Sequence, residues 1–153
     1  MAQRTVPLMV AVSNSNVITF PAPEQDLVRI EPGVYAAVYV RHQVRQAFGG
    51  ARLAVQFSIT TPGGAFEKVL TAWYRVRAIG KGFTVGRHSK FARDWRLLFG
   101  RPAERWDRVP MSSLIGVGIR VRVRLVAFDH DGEQLAEVNQ YSVVERVLGR
   151  QEP

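Results

Sequence analysis

Cysteine is absent from this 153-residue chain. Disulfides, thiolate metal sites and cysteine nucleophiles are therefore excluded together, and the absence fits a reducing cytoplasm. Histidine is scarce: His42, His88 and His130 stand far apart, and no HxxxH, HExxH or HxE spacing occurs, so no metal site is expected. No apolar run approaches the roughly 18–20 residues needed to span a bilayer. The run from Val6 to Val12 is too short for the core of a signal peptide. These two absences lead to the expectation of a soluble cytoplasmic protein without a membrane partner. The phosphate-cradling patterns GxxxxGK[ST] and GxGxxG are missing, as are the nucleophile motifs GxSxG and SxxK. Asp129, Asp131 and Glu133 alternate as at the start of a calcium loop, but Gln140 stands where that loop needs its glutamate. A hairpin turn accounts for the acids. The chain is expected to be no enzyme, with no catalytic residue, metal or cofactor.

Positive charge is what the chain has in excess. The formal net charge is +8, and the stretch from Arg87 to Arg124 carries ten basic residues against three acidic ones. Nine of the ten are arginine, whose planar fork of donors binds phosphate in a bidentate manner and stacks on bases. Residues 1–86 are also basic, whereas residues 125–153 hold six acids and only two arginines. Basic charge beside an acidic end suggests a directed face for a polyanion, most often nucleic acid.

Most of the pattern has period two, the signature of half-buried strands. After Pro32-Gly33, residues Val34, Ala36, Val38 and Val40 fall on one side, with Tyr35, Ala37, Tyr39 and Arg41 on the other. Leu53, Val55, Phe57 and Ile59 mark a second strand, and Leu70, Ala72, Tyr74 and Val76 a third, with turns at Ala47–Gly50 and Thr61–Gly64. These three read as an antiparallel meander. The glycines between Ile79 and Gly86 predict a mobile loop. The period then changes: Ser89 caps a helix whose apolar positions are Phe91, Trp95, Leu98 and Phe99, ended by Gly100 and Pro102. A short helical turn is expected near Met111–Ile115, and Gly116 opens a long alternating strand. The segment from Glu133 to Leu148 has both strand and helix spacings, and the choice stays open. The expected architecture is mainly β: one domain over residues 1–153, with 1–30 a peripheral extension, forming a small, partly open antiparallel barrel with one inserted helix near 89–99.

Arg120, Arg122 and Arg124 make the sharpest candidate site. Alternate strand residues share a face about 6.8 Å apart, comparable to the phosphate spacing of an extended single strand. A solvated sheet face with carboxylate partners on neighbouring strands is the competing explanation. Arg87 and Lys90 sit where the start of the helix offers free amides and a positive dipole end, and Arg93 and Arg96 would extend the track. Lys81 and Phe83 lie together in the glycine-rich segment, and Trp73 shares a strand side with Arg75. Trp73 and Phe83 are the candidate stacking platforms, each worth about 1–3 kcal/mol per base if exposed.

The segments Pro32-Gly33-Val34-Tyr35-Ala36-Ala37-Val38 and Leu53-Ala54-Val55-Gln56-Phe57-Ser58-Ile59 resemble the "PxGxYxAxV" and "LxLxFxI" strands of small phage and plasmid proteins. Some of these are single-stranded-DNA-binding proteins of the oligonucleotide-binding (OB) fold. Gly86–Phe91, Phe99–Pro102 and Asn139–Val144 are similar to uncharacterised proteins of integrative elements and plasmids. The resemblance implies an OB-like barrel from a mobile genetic element that binds single-stranded DNA, with RNA left open and no binding residue carried over. The alternative is an accessory or regulatory subunit, or an inhibitor, of a nucleoprotein complex, turning its basic face to a protein or structured RNA. Oligomerisation is left open by the sequence.

Overall fold

The computed structural model describes residues 27–47 and 49–152. The Val6–Val12 run and residues 1–26 of the expected peripheral extension lie outside them. Among the described residues seven strands and one α-helix follow in order: β1 (Gly33–Ala47), β2 (Gly50–Ile59), β3 (Val69–Arg75), β4 (Arg77–Ile79), β5 (Gly82–Thr84), α1 (Lys90–Phe99), β6 (Gly118–Val126) and β7 (Tyr141–Arg150). The main sheet is antiparallel with the order β3-β2-β1-β6-β7, and β4 pairs only with β5. The sheet curls until its edge strands β3 and β7 lie against each other, and α1 packs over both. This is a mainly β, partly open OB-like barrel with one helix, as expected from the pattern.

The inner face follows the alternation. Leu53, Val55, Phe57 and Ile59 of β2 meet Tyr74, Ala72 and Leu70 of β3, and on the other side of β1 lie Ile119, Val121 and Val123 of β6. Each large aliphatic side chain buried this way contributes about 1.5–3 kcal/mol. The helix forms for the reasons its sequence gives. The hydroxyl of Ser89 accepts from the Ala92 amide at 3.2 Å, and Gly100 closes the end at φ 74°, its amide donating to the Arg96 carbonyl at 2.8 Å. Phe91, Trp95 and Leu98 are buried against the barrel. Beneath the helix, the buried Tyr74 hydroxyl donates to the buried Asp94 carboxylate at 2.8 Å. Burial holds the tyrosine well above its ordinary value, reinforced by the neighbouring Asp94 charge. Burial also raises the Asp94 carboxyl above 3.8, against the pull of Tyr74 and Arg93.

Four expectations change. The segment read as a mobile loop is the β4–β5 hairpin, turning at Gly80-Lys81. The strand after Gly116 runs from Gly118 to Val126, because Gly116 takes φ 81° and the Val117 amide bonds back to Leu114 at 3.1 Å. The 133–148 ambiguity resolves as strand β7, after a short 3-10 turn at Glu137–Asn139. Its helix-like spacing has a mechanical cause: the β6–β7 register shifts twice, so that Val143, Val144 and Val147 are all buried although they do not alternate. Finally, the β1–β2 register shifts between Tyr39 and Arg41. The bulge at Val40 brings Arg41 onto the Val38 side of the strand, opposite to the side read from strict alternation.

Candidate nucleic-acid interface

The arginine row of β6 is exposed, as its alternation requires. Its cross-strand neighbours are Ala36 and Val34 of β1, facing Arg120 and Arg122, and Gly149, Arg146 and Val143 of β7, facing Arg120, Arg122 and Arg124. No neighbour in register is a carboxylate. Among the described residues none of the three arginines takes part in a salt bridge. Arg122 instead faces Arg146, and like charges directly opposite on a ladder destabilise it by about 0.2–1 kcal/mol.

A second basic surface lies on the outer face of β1, β2 and β3, and sequence reasoning missed most of it. Arg45, Arg52 and Arg75 are successive partners across the three strands. The next row is Gln43, Ala54 and Trp73, and the one after it Arg41, Gln56 and Thr71. Arg41 and Arg75 are exposed, Arg52 is half-buried, and Arg45 hydrogen-bonds Gln43 at 3.2 Å. Trp73 keeps 36 % of its surface in solvent. The elements of a single-strand platform are thus adjacent here: cations for phosphates, an exposed indole for stacking and amide or hydroxyl side chains for base edges. The visible signal was Arg75 beside Trp73; Arg52 joins them through the regular β2–β3 pairing, and Arg41 and Arg45 only once the bulge fixes the register of β1.

The candidates around the helix are placed less freely. Arg93 is held by Asp94 at 3.2 Å, and Arg96 donates to the Arg87 carbonyl at 3.1 Å. The Lys90 ammonium lies 5.1 Å from the centre of the Tyr74 ring, and its pKa is lowered mainly by burial, with Asp94 and Glu145 opposing that effect and Arg93 and Arg124 adding to it. The start of the helix and the end of the β6 row therefore share one electrostatic neighbourhood. Arg87 and Lys81 are exposed, Lys81 at the tip of the β4–β5 hairpin.

Phe83 departs from expectation. It is only 7 % exposed, with its ring 5.8 Å from Phe91 and 6.2 Å from His42, both edge-on. The alternation of β5 turns it into the barrel seam, so it packs as core and presents no stacking surface of its own. Between Arg101 and Arg108, Arg105 grips Asp107 through two contacts of 2.7 and 2.9 Å, which holds the Asp107 carboxyl below its usual range. Trp106 is partly buried against the core.

Among the described residues, no group of three or more histidine and carboxylate side chains could hold a metal ion, and no helix is long and apolar enough to cross a membrane. No family model, curated protein or solved structure matches this chain.

Proposed function

We propose that this protein is a non-enzymatic binder of single-stranded nucleic acid, DNA in preference to RNA, acting in the cytoplasm as the product of a mobile element. The observation that carries the reading is the pairing of arginine with arginine across neighbouring strands, Arg52 with Arg75 and Arg122 with Arg146, with no carboxylate in register. A solvated, anti-aggregation face would alternate signs at these positions. Unopposed like charges lower stability, and a bound polyanion offsets that cost. Arg120, Arg122 and Arg124 engage the backbone on one side of the barrel; Arg41, Arg52 and Arg75 do so on the other, where Trp73 stacks. Lys90 and Arg87 extend the β6 track, while Arg93 and Arg96 mainly secure the helix.

Fluorescence polarisation with matched single-stranded DNA, duplex DNA and RNA, at roughly 50 and 200 mM salt, tests this. The single strand should bind most tightly, with log affinity falling by about 0.7 per neutralised phosphate for each decade of salt. Salt-insensitive binding, or none at the lower salt, would sink it. A second reading, a protein partner in a nucleoprotein complex, is favoured by Phe128 and Val138, 58 % and 78 % exposed beside the acids of the β6–β7 connection. It predicts one stoichiometric partner that survives nuclease treatment.

A further inference from the structure

Beyond Val38, β1 has left β6 behind and pairs only with β2. Along its free edge runs a cleft between β1 and two additions to the five-strand barrel. On one side stand His42 and Gln43 of β1; on the other stand Lys81 and Phe83 of the β4–β5 hairpin and Arg108 of the connection that follows α1. Among the described residues neither Lys81 nor Arg108 is in a salt bridge. Asp107, the acid at the rim, is already engaged by Arg105.

His42 is the unusual member. Its residue is exposed, yet its ring is fixed from two directions. The Tyr39 hydroxyl and the His42 Nδ1 share a hydrogen bond of 2.6 Å, and the Phe83 ring meets the imidazole edge-on at 6.2 Å. A surface histidine usually keeps its rotamer freedom, and holding it is a cost in side-chain entropy. A flat ring held in place at the mouth of a cationic cleft is a preformed stacking platform, a use of histidine common where single-stranded bases are bound. Burial also lowers the imidazole pKa, which favours the neutral ring.

We infer that this cleft is a nucleotide subsite: His42 stacks a base, and Lys81 and Arg108 hold the adjoining phosphate. Gln43 also belongs to the cross-strand row containing Trp73, so a strand lying over the β1–β3 face continues over Gln43 into the cleft. Phe83 contributes as the support behind His42. The subsite rests on the proposed binding of single strands, and its test separates the two.

The test is the affinity of the full chain for a labelled oligothymidylate of about 16 nucleotides, the upper end of what one such barrel covers. His42→Ala should weaken binding by roughly five-fold or more, the lower end of a lost stacking contact, with the salt slope unchanged. His42→Phe should restore affinity, because a flat ring suffices. Lys81→Gln with Arg108→Gln should reduce the salt slope by about 0.7 to 1.4, corresponding to one or two phosphates released. Unchanged thermal midpoints separate these effects from unfolding. If the oligomer binds and all three variants behave as wild type, the cleft is not a subsite and the wider reading survives. Failure of the wild-type chain to bind at roughly 50 mM salt overturns both.

Discussion

The two basic surfaces of this barrel are built on different axes. On β6 the arginines follow one another along a single strand, about 6.8 Å apart. On the β1–β3 face Arg45, Arg52 and Arg75 run across three strands, where Cα atoms of opposite residues stand only about 4.5–5.5 Å apart. The crossing row therefore concentrates more repulsion in less space, and the exposed indole of Trp73 stands one row away. A row along a strand suits a backbone that runs with that strand. A row across strands, with Trp73 one step away, suits a backbone crossing the sheet with its bases turned down onto it. The second arrangement is the more specific of the two for single-stranded nucleic acid.

Charge reversal separates them most sharply. Arg52→Glu with Arg75→Glu should reduce oligonucleotide affinity by at least about 100-fold, two charge-assisted contacts at about 1.5–3 kcal/mol each. Arg122→Glu with Arg124→Glu should cost less, about tenfold, if the strand is anchored on the Trp73 face. Equal losses from both pairs, measured by polarisation at one salt concentration, would place both surfaces on a single continuous track. Trp73→Ala should cost about 1–3 kcal/mol of binding while leaving the salt slope untouched, because stacking displaces no counterion.

A control away from both surfaces shows whether such losses are local. Tyr74→Phe removes the hydroxyl donor from the buried Asp94 carboxylate and should cost about 1–3 kcal/mol of stability, read by chemical denaturation, with little change in affinity. The raised Asp94 pKa gives this seam a pH dependence. A folded state that holds its proton more tightly than the unfolded chain is favoured at low pH, so the Asp94 contribution is greatest below its unfolded value near 3.8. It declines as pH rises through the folded value. Asp94→Asn should flatten that decline between acid and neutral pH. The smallest expected effect is the most diagnostic: Arg146→Glu turns a like pair with Arg122 into an opposite one and should stabilise the fold by about 0.2–1 kcal/mol while weakening binding. A gain in stability without a loss of binding would mark the β6 row as a solvated face.

What could be read from the chain alone divides along the same line as the two surfaces. The β6 row, the helix with its Ser89 and Gly100 ends, and the strands around Leu53 and Leu70 are local patterns, written in neighbouring residues. Arg52 belongs to a site only through its pairing with Arg75, and Arg41 only through a register set by a bulge that no period-two count detects. For Phe83 the glycines on either side suggest exposure, whereas the folded hairpin packs its ring against Phe91 and His42. His42 gave no signal at all. A single histidine has no spacing to be read, and its partners Tyr39 and Phe83 come together only in the folded chain.

Val40 is a phase element: one inserted residue that offsets everything after it by half a repeat. Before it, the strand shows Val34, Ala36 and Val38 on the barrel's outside; after it, Arg41, Gln43 and Arg45 take that place. The same residues paired without the bulge would have the same composition and charge. Yet the arginines would then turn toward the hydrophobic interior, and Val44 would turn toward water. The register of this strand thus encodes the location of its charge as surely as the identity of its residues does.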